Sequence, residues 1–190
     1  YEGYLQCDFL NDLPADKTFA DGLIYYDLFS AGGTDYIVLG VSFDAARRFK
    51  GAYDWINDAL SAHRDRVGIV LFHRYLNDSG EVFVKSREEQ ERIVAKNPNV
   101  RLVLCGHSRG DSLRTDEFDD DGDGTPDRTV YSLMYNPQGD KKEGYGYLRL
   151  LRFDPIARSI ETYTYSPFLD KRFADPKTGE YFDHVLTDAF

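Results

Sequence analysis

The first half of the chain alternates short apolar runs with amphipathic segments. Residues 36–43, 67–72 and 100–105 are almost continuously apolar, a pattern typical of strands that are buried on both faces. Between these runs, residues 44–62 and 86–96 repeat apolar side chains at helical spacing. The order strand, helix, strand, helix, strand predicts an α/β fold whose first strands run parallel.

Each predicted helix begins at a polar side chain that can cap it. Asp44 is the expected N-cap of the first helix. The apolar stripe of that helix consists of Ala52, Trp55, Ile56, Ala59 and Leu60. Ser86 is the expected N-cap of the second helix, and Glu89, three residues later, completes a capping box.

The second half of the chain has the pattern of a sheet without helices. An Asp-rich loop is expected over residues 116–128. Residues 129–135, 147–153 and 159–165 follow it, and their aromatic and β-branched content favours strands. With no helix between them, these strands predict an antiparallel meander after the parallel βαβαβ unit.

Length and charge narrow the classes of protein. A chain of 190 residues suits a single domain, here residues 1–190. The net charge of −10 argues against binding to a nucleic-acid backbone, which selects basic surfaces. No stretch is apolar for long enough to span a bilayer. The single methionine is Met134, so we expect a processed product or a fragment of a longer protein.

Two histidines come directly after two of the predicted parallel strands. His73 follows residues 67–72, and His107 follows residues 100–105 after one glycine. If these two strands are neighbours in the sheet, both imidazoles emerge at the same edge, because the carboxyl ends of parallel strands lie on one side. Neutral imidazoles bind divalent transition-metal ions such as Mn, Fe or Zn. The alternative for each histidine alone is a hydrogen-bonded, partly buried ring.

The segment GHSRG at residues 106–110 permits a second chemistry. It matches the G-x-S-x-G pattern of a nucleophile elbow, in which Ser108 would be the nucleophile of a serine ester hydrolase. His184 lies downstream as a candidate base, with Asp154 or Asp170 in between. An elbow opens a helix packed on the sheet, and the residues after this segment have no apolar stripe. The serine hydrolase is an alternative to the metal site.

Several segments together resemble the calcineurin-like metallophosphoesterases. His73 begins the sequence His-Arg-Tyr-Leu, which is similar to the family's histidine followed by x-Tyr-Leu, and residues 106–109 are similar in part to its Gly-His-x-His. GGTDYIVLGVSF, KNPNVRLVLCGH and the stretch from YSLMYNPQGD to IETYTYSP extend the resemblance over about residues 30–168, leaving 1–29 and 169–190 as flanking segments. The last stretch resembles the secreted bacterial branch, which implies a secreted or cell-surface location.

The resemblance implies a fold, a substrate class and a ligand set. The fold would be a four-layer α/β/β/α sandwich, of which this chain forms the C-terminal half, and the substrate a phosphoester. The resemblance places His73 and His107 on the same one of two metal ions. Arg109 stands where the family has its second histidine of Gly-His-x-His. A guanidinium cannot bind a cation but suits phosphate oxygens, so Arg109 is a candidate phosphate contact.

The remaining ligand motifs of the family have no counterpart in this sequence. The family carries Asp-x-His, Gly-Asp and Gly-Asn-His-Asp/Glu before this region, and none of the three occurs before His73, which implies that the catalytic N-terminal half is missing from this chain. Hydrolysis with two metal ions needs further ligands to hold both ions and activate water. We therefore expect a fragment of a metal-dependent phosphoric-ester hydrolase that is inactive by itself. A non-catalytic, phosphoesterase-like binding module is the second alternative.

The Asp-rich loop contains a partial calcium motif. Its candidate ligands are Asp119, Asp121, Asp123, Thr125 and Asp127, with a glycine at the sixth position. The twelfth position is Val130, so the bidentate carboxylate of an EF-hand is lacking. Calcium binding and an ordinary solvated acidic loop are both open interpretations of this segment.

Overall fold

The three apolar runs become neighbouring parallel strands at the centre of a seven-stranded sheet. The computed structural model describes residues 14–138, 145–174 and 183–190. In chain order, the strands of this main sheet are β1 (Thr18–Phe19), β2 (Ile24–Ala31), β3 (Thr34–Val41), β4 (Val67–Phe72), β5 (Val100–Cys105), β6 (Gly110–Phe118) and β7 (Arg128–Asn136). Their spatial order is β1-β2-β3-β4-β5-β7-β6. Strands β3, β4, β5 and β7 are parallel, which confirms the predicted α/β class.

A second sheet of four antiparallel strands lies beside the first. Its strands are β8 (Leu148–Asp154), β9 (Ser159–Ser166), β10 (Lys171–Arg172) and β11 (His184–Leu186). Strand β9 pairs with the other three. The predicted antiparallel pairing of residues 147–153 with 159–165 is confirmed.

The predicted three-stranded meander is wrong in one element. Residues 129–135 lie in β7 of the main sheet, where they pair parallel with β5. Val130, Leu133 and Met134 are all buried. A strand that is apolar on both faces is stable in the interior of a sheet, which explains its place between β5 and β6.

The charged segment after Gly110 is a strand that the polar pattern did not predict. Strand β6 lies at the edge of the main sheet and pairs antiparallel with β7. Arg114 and Asp116, two residues apart on this strand, form an ion pair at 2.6 Å. An edge strand tolerates such charged side chains because only one of its sides is paired.

Short helices connect the parallel strands. They are α1 (Ala45–Arg48), α2 (Ala52–Ala62) and α3 (Arg87–Glu89), the last continuing as a π-helical turn over Gln90–Val94. Turns of 3-10 helix occupy Ala15–Lys17 and Val84–Ser86. In α2 the predicted stripe is buried, with Trp55 partly exposed against the core. Among the described residues, no helix has the length and apolar character to cross a membrane.

Asp44 and Ser86 stand at the predicted N-cap positions, but neither side chain makes a capping hydrogen bond, because both have other partners. Asp44 makes no capping hydrogen bond, and its carboxylate binds Arg47 and Arg74. The Ser86 hydroxyl donates to the carbonyl of Arg74 at 3.2 Å. Glu89 turns inward to Arg47 instead of completing a capping box.

The main sheet buries apolar side chains on both faces. On one face, Val70 and Val103 pack against the helices. On the other, Ile69 and Leu102 pack against Ile160 of the second sheet. Successive side chains of a strand point to opposite faces, so the continuous apolar runs supply both cores. The described residues therefore form three layers, which are the helices, the main sheet and the second sheet.

Candidate metal centre

The site lies at the carboxyl edge of the main sheet, where β4 and β5 end side by side. Phe72 and Cys105, the last residues of these parallel strands, are register partners. The Gly106 N–H donates to the carbonyl of His73 at 3.2 Å and joins the two strand ends. His73 and His107 therefore emerge together from the same edge.

The two imidazoles are in direct contact. Nε2 of His73 lies 3.1 Å from Nδ1 of His107. Without an ion this separation suits an N–H···N hydrogen bond. Two metal–nitrogen bonds of about 2.0–2.1 Å also span it, so the pair fits two ligands of one ion. Burial lowers the pKa of His73, and the neighbouring His107 and Arg74 lower it further. The neutral form, which binds metals, is thereby favoured.

The backbone at His107 adopts a conformation that favours glycine. Its φ is +69°, in the left-handed region that few side chains other than glycine occupy. The side-chain amide of Asn136 donates to the His107 carbonyl at 3.2 Å. Strained backbone of this kind persists where the surrounding structure holds it, and it is frequent at functional sites.

Aromatic side chains surround the histidine pair. The Phe43 ring lies 5.2 Å from the His73 ring and 5.8 Å from the His107 ring, measured between centroids. The guanidinium of Arg74 lies between two phenyl rings, 4.8 Å from Phe43 and 5.4 Å from Phe83. Such contacts stabilise a cation on an aromatic face. The histidine pair is therefore bordered by aromatic side chains.

A partly buried network of ion pairs lies next to these aromatic side chains. Asp44 has φ +58° and binds Arg74 at 3.3 Å, and it also pairs with Arg47. The Nε of Arg47 lies 3.1 Å from the buried carboxylate of Glu89. Burial raises the pKa of Glu89. Two arginines and two carboxylates therefore hold the loops that carry Phe43 and His73.

Sequence reasoning missed Phe43, Arg74 and Asp44 as neighbours of the pair. A signal was present, because Phe43 and Asp44 follow β3, the strand parallel to β4. Their position two and three residues beyond the last residue of that strand puts them at the same sheet edge as His73. The capping role expected of Asp44 concealed this placement.

Arg109 and Ser108 follow the pair on the same turn. Arg109 is exposed and makes no ion pair with any described residue. Its role as a phosphate contact stays a prediction. Ser108 donates its backbone N–H to Gly106, and strand β6 follows it instead of the helix that an elbow requires.

The candidate partners of Ser108 face other residues. Nε2 of His184 lies 3.6 Å from Asp111. The carboxylate of Asp154 accepts hydrogen bonds from backbone N–H groups of its own turn, and that of Asp170 from Tyr165. The structure thus does not assemble these residues into a Ser-His-Asp triad.

The histidine pair has no third ligand among the residues described. The one group of three potential ligands in those ranges consists of Asp119, Asp121 and Asp127. Their oxygens lie within 4.8 Å of one another. Asp119 accepts backbone N–H groups from Gly122, Asp123 and Gly124, led by Gly124, and these bonds lower its pKa.

The other two predicted calcium ligands take part in the same loop. The Thr125 N–H donates to Asp123 at 2.7 Å, and the Asp123 N–H to Asp121 at 3.0 Å. These hydrogen bonds account for the conformation of the loop without a bound ion. Calcium binding stays a prediction.

The chain is similar in sequence to known proteins. Residues 2–109 match the family model described as calcineurin-like phosphoesterase. The Bacillus subtilis (strain 168) protein YvnB, described as uncharacterized, is 41% identical over 170 residues. That match covers 86% of this chain and 13% of the relative's length. The solved structure described as GAP50, the anchor in the inner membrane complex of Plasmodium, has a TM-score of 0.43 and 14% identity. The alignment covers 86% of this chain and 53% of that chain. A TM-score of 0.43 is too low to establish a shared fold.

Proposed function

The chain belongs to the calcineurin-like phosphoesterase family, and from this premise we propose that it forms part of a metal-dependent phosphoric-ester hydrolase. His73 and His107 are the proposed ligands of one divalent transition-metal ion. The observation that carries the proposal is the 3.1 Å separation of their ring nitrogens at adjoining strand ends. A secreted or cell-surface location belongs to the same proposal and depends on the resemblance alone.

The chain's own residues have distinct proposed roles. The ion, Mn, Fe or Zn, supplies Lewis acidity and lowers the pKa of water when bound. His73 and His107 hold it, while the Asn136 amide fixes the backbone that carries His107. Arg109, exposed two residues further on, is the proposed contact for a phosphate oxygen of the substrate.

We expect this chain to be inactive by itself. Phosphoester hydrolysis with two metal ions requires ligands for both, and the described residues contribute two histidines at one point. Arg109 cannot replace a missing ligand because its guanidinium has no lone pair to offer. The rest of the centre must come from residues other than these.

Metal binding by the purified chain tests the ligand assignment. Titration calorimetry with Zn²⁺ should show binding that His73→Ala or His107→Ala weakens by at least about tenfold. His63→Ala is the matched control, since this histidine lies against Tyr26 in the helix layer. Equal affinities in all four proteins would overturn the assignment.

An assay of hydrolysis tests the expected inactivity. With Mn²⁺, Fe²⁺ or Zn²⁺ supplied, the chain should release no p-nitrophenol from p-nitrophenyl phosphate above background. Release that disappears in Ser108→Ala and persists in His73→Ala would favour the serine hydrolase instead. Hydrolysis by a longer natural protein that contains this chain, lost on His73→Ala, would separate an enzyme from a non-catalytic binding module.

A further inference from the structure

A cavity of about 640 Å³ opens at the edge of the main sheet opposite the histidine pair. It lies where α2 ends and where β4 and β5 begin, next to Ser61, Val67 and Asn99. The histidines stand at the other ends of the same two strands. The volume is within the range of about 300–1,000 Å³ that is usual for small-molecule sites. The cavity is therefore separate from the proposed metal centre.

The charge around this cavity is opposite to that of the whole protein. Four cationic side chains line it, namely Arg64, Arg66, Lys96 and Arg101. The acidic side chains in its wall are Asp58 and Asp65. The chain as a whole carries a net charge of −10. A local excess of positive charge in such a protein favours an anionic ligand.

Arg101 differs from its two arginine neighbours in having no counter-ion. Arg128 pairs with Asp120 at 2.7 Å, and Arg158 pairs with Asp188 at 3.1 Å. Arg101 makes no ion pair within the described part of the chain. Burial lowers its pKa, and the charges of Arg128 and Arg158 lower it further, while those of Asp120 and Asp188 raise it in part. A half-buried guanidinium outside any ion pair has hydrogen-bond donors available to an anion that enters the cavity.

Two of the other three cations of the cavity are available to a ligand. Arg66 donates to the carbonyls of Phe29 and Tyr36, so its guanidinium is already engaged. Arg64 and Lys96 are exposed and form no ion pair with a described residue. Together with Arg101, they place positively charged hydrogen-bond donors around the cavity.

Hydrogen bonds between buried amides hold the cavity wall in place. Nδ2 of Asn97 donates to Oδ1 of Asn57 at 2.7 Å, and both residues are buried. Nδ2 of Asn99 donates to the carbonyls of Leu60 and His63, each at 3.2 Å. These bonds tie the turn before β5 to the end of α2. A wall fixed before binding reduces the entropy cost of capturing a ligand.

We propose that this cavity binds a phosphate group, free or carried on a small organic molecule, through Arg101, Arg64 and Lys96. A guanidinium recognises phosphate oxygens by paired charge-assisted hydrogen bonds, and a lysine adds a compact charge. The site does not depend on the metal centre, since it uses other residues at the other edge of the sheet.

Phosphate binding must be measured without a contribution from the metal centre. The protein to use carries His73→Ala and His107→Ala and is kept in EDTA. Titration with inorganic phosphate, followed by ¹H–¹⁵N NMR, should give saturable shifts of the amides of residues 64–67 and 96–101. Arg101→Gln should weaken binding by at least about tenfold, the loss of one charge-assisted contact. Arg152→Gln, an exposed arginine that pairs with Glu161 in the second sheet, should leave it unchanged.

Parallel titrations identify the source of the phosphate. Tighter binding of ribose 5-phosphate than of inorganic phosphate supports an organic ligand, and equal affinity supports the free anion. Lys96→Gln, at an exposed position, provides a second test if Arg101→Gln fails to fold. Absence of saturable shifts up to about 10 mM phosphate, where charge-assisted sites should fill, would overturn the proposal. Affinity unchanged by both substitutions would also overturn it.

Discussion

His107 meets two structural requirements at one position. Its backbone lies at φ +69°, which costs free energy for a residue with a Cβ, and its ring must meet His73. A glycine would relieve the backbone but would remove the nitrogen. The hydrogen bond from Asn136 to its carbonyl helps to stabilise this conformation. The ring contact with His73 therefore coincides with a backbone conformation that favours glycine.

His184 is a partly buried imidazole outside the metal centre. It faces Asp111, whose carboxylate is paired with Arg149, and its backbone N–H donates to Thr162. Burial lowers the pKa of His184, and the charge of Arg149 lowers it further. The unfolded chain therefore binds a proton at higher pH than the folded chain. Stability from this group is complete above the ordinary histidine pKa of about 6.5 and is lost as the pH falls toward the folded-state pKa.

We therefore predict that His184→Gln flattens the dependence of stability on pH. Between about pH 7.5 and pH 5.5, where histidine titrates, the melting temperature should fall less in the variant than in the parent chain. Thermal unfolding followed by circular dichroism measures this difference. His63→Gln serves as the control for removal of a histidine in another layer. A slope unchanged by His184→Gln and altered by His63→Gln would contradict the prediction.

At the scale of elements, the segment after β4 shows how tertiary contacts reshape a helix. The pattern of residues 86–96 predicts one α-helix, but the structure has a single α-turn followed by a π-turn. Ser86 and Glu89 are drawn to Arg74 and Arg47. At the other end, Arg128 donates to the carbonyls of Val94 and Ala95. A π-turn accommodates these fixed ends because it widens the backbone locally.

Arg128 connects this segment to two others and should be important for stability. It is buried, donates to the Val100 carbonyl and pairs with Asp120 of the acidic loop. Arg128→Leu should lower the free energy of unfolding by about 3–5 kcal/mol, the loss typical of breaking a buried pair. Urea unfolding measures it.

The matched control is Arg152→Leu, which removes an exposed ion pair with Glu161. It should cost about 1 kcal/mol or less, because solvent screens such pairs. If Arg128→Leu costs no more than this control, Arg128 does not have the connecting role assigned to it.

At the scale of the whole molecule, the main sheet serves two cores at once. Leu102 and Val103 are consecutive residues of β5, yet Leu102 faces the second sheet and Val103 faces the helices. Tyr36 extends the contact between the sheets to Phe153 and Phe190. Layers that share their central strands are expected to unfold together.

We predict that Leu102→Ala destabilises the entire described chain in one transition. Leu102 is 1% exposed, and truncation of such a leucine costs about 2–5 kcal/mol. Leu148→Ala in the second sheet is the control, since Leu148 is 40% exposed and should lose less than about 1 kcal/mol. Circular dichroism and intrinsic fluorescence should give coincident unfolding curves. Two separate transitions would show that the sheets are independent units.

Much of the architecture follows from local pattern. The apolar runs predicted β3, β4 and β5 as parallel neighbours, and the helical stripe predicted α2. The prediction failed for β6, a charged edge strand that pairs with a neighbouring strand on one side only. It also failed for the helix after Ser86. The sequence predicted that His73 and His107 emerge at one sheet edge if their strands are neighbours, and the structure has the two rings in contact. Their use as ligands stays a prediction.

The sequence by itself determined which strands carry the two histidines and that both rings stand at the same edge. Continuous apolar runs joined by helices favour parallel strands, and the carboxyl ends of parallel strands lie at one edge of a sheet. Only the tertiary structure decided that β7 lies between β5 and β6, that Arg74 lies between Phe43 and Phe83, and that Arg101 lacks a counter-ion beside a cavity. These features depend on contacts between residues far apart in the chain, and the free energy of such contacts cannot be inferred from local spacing.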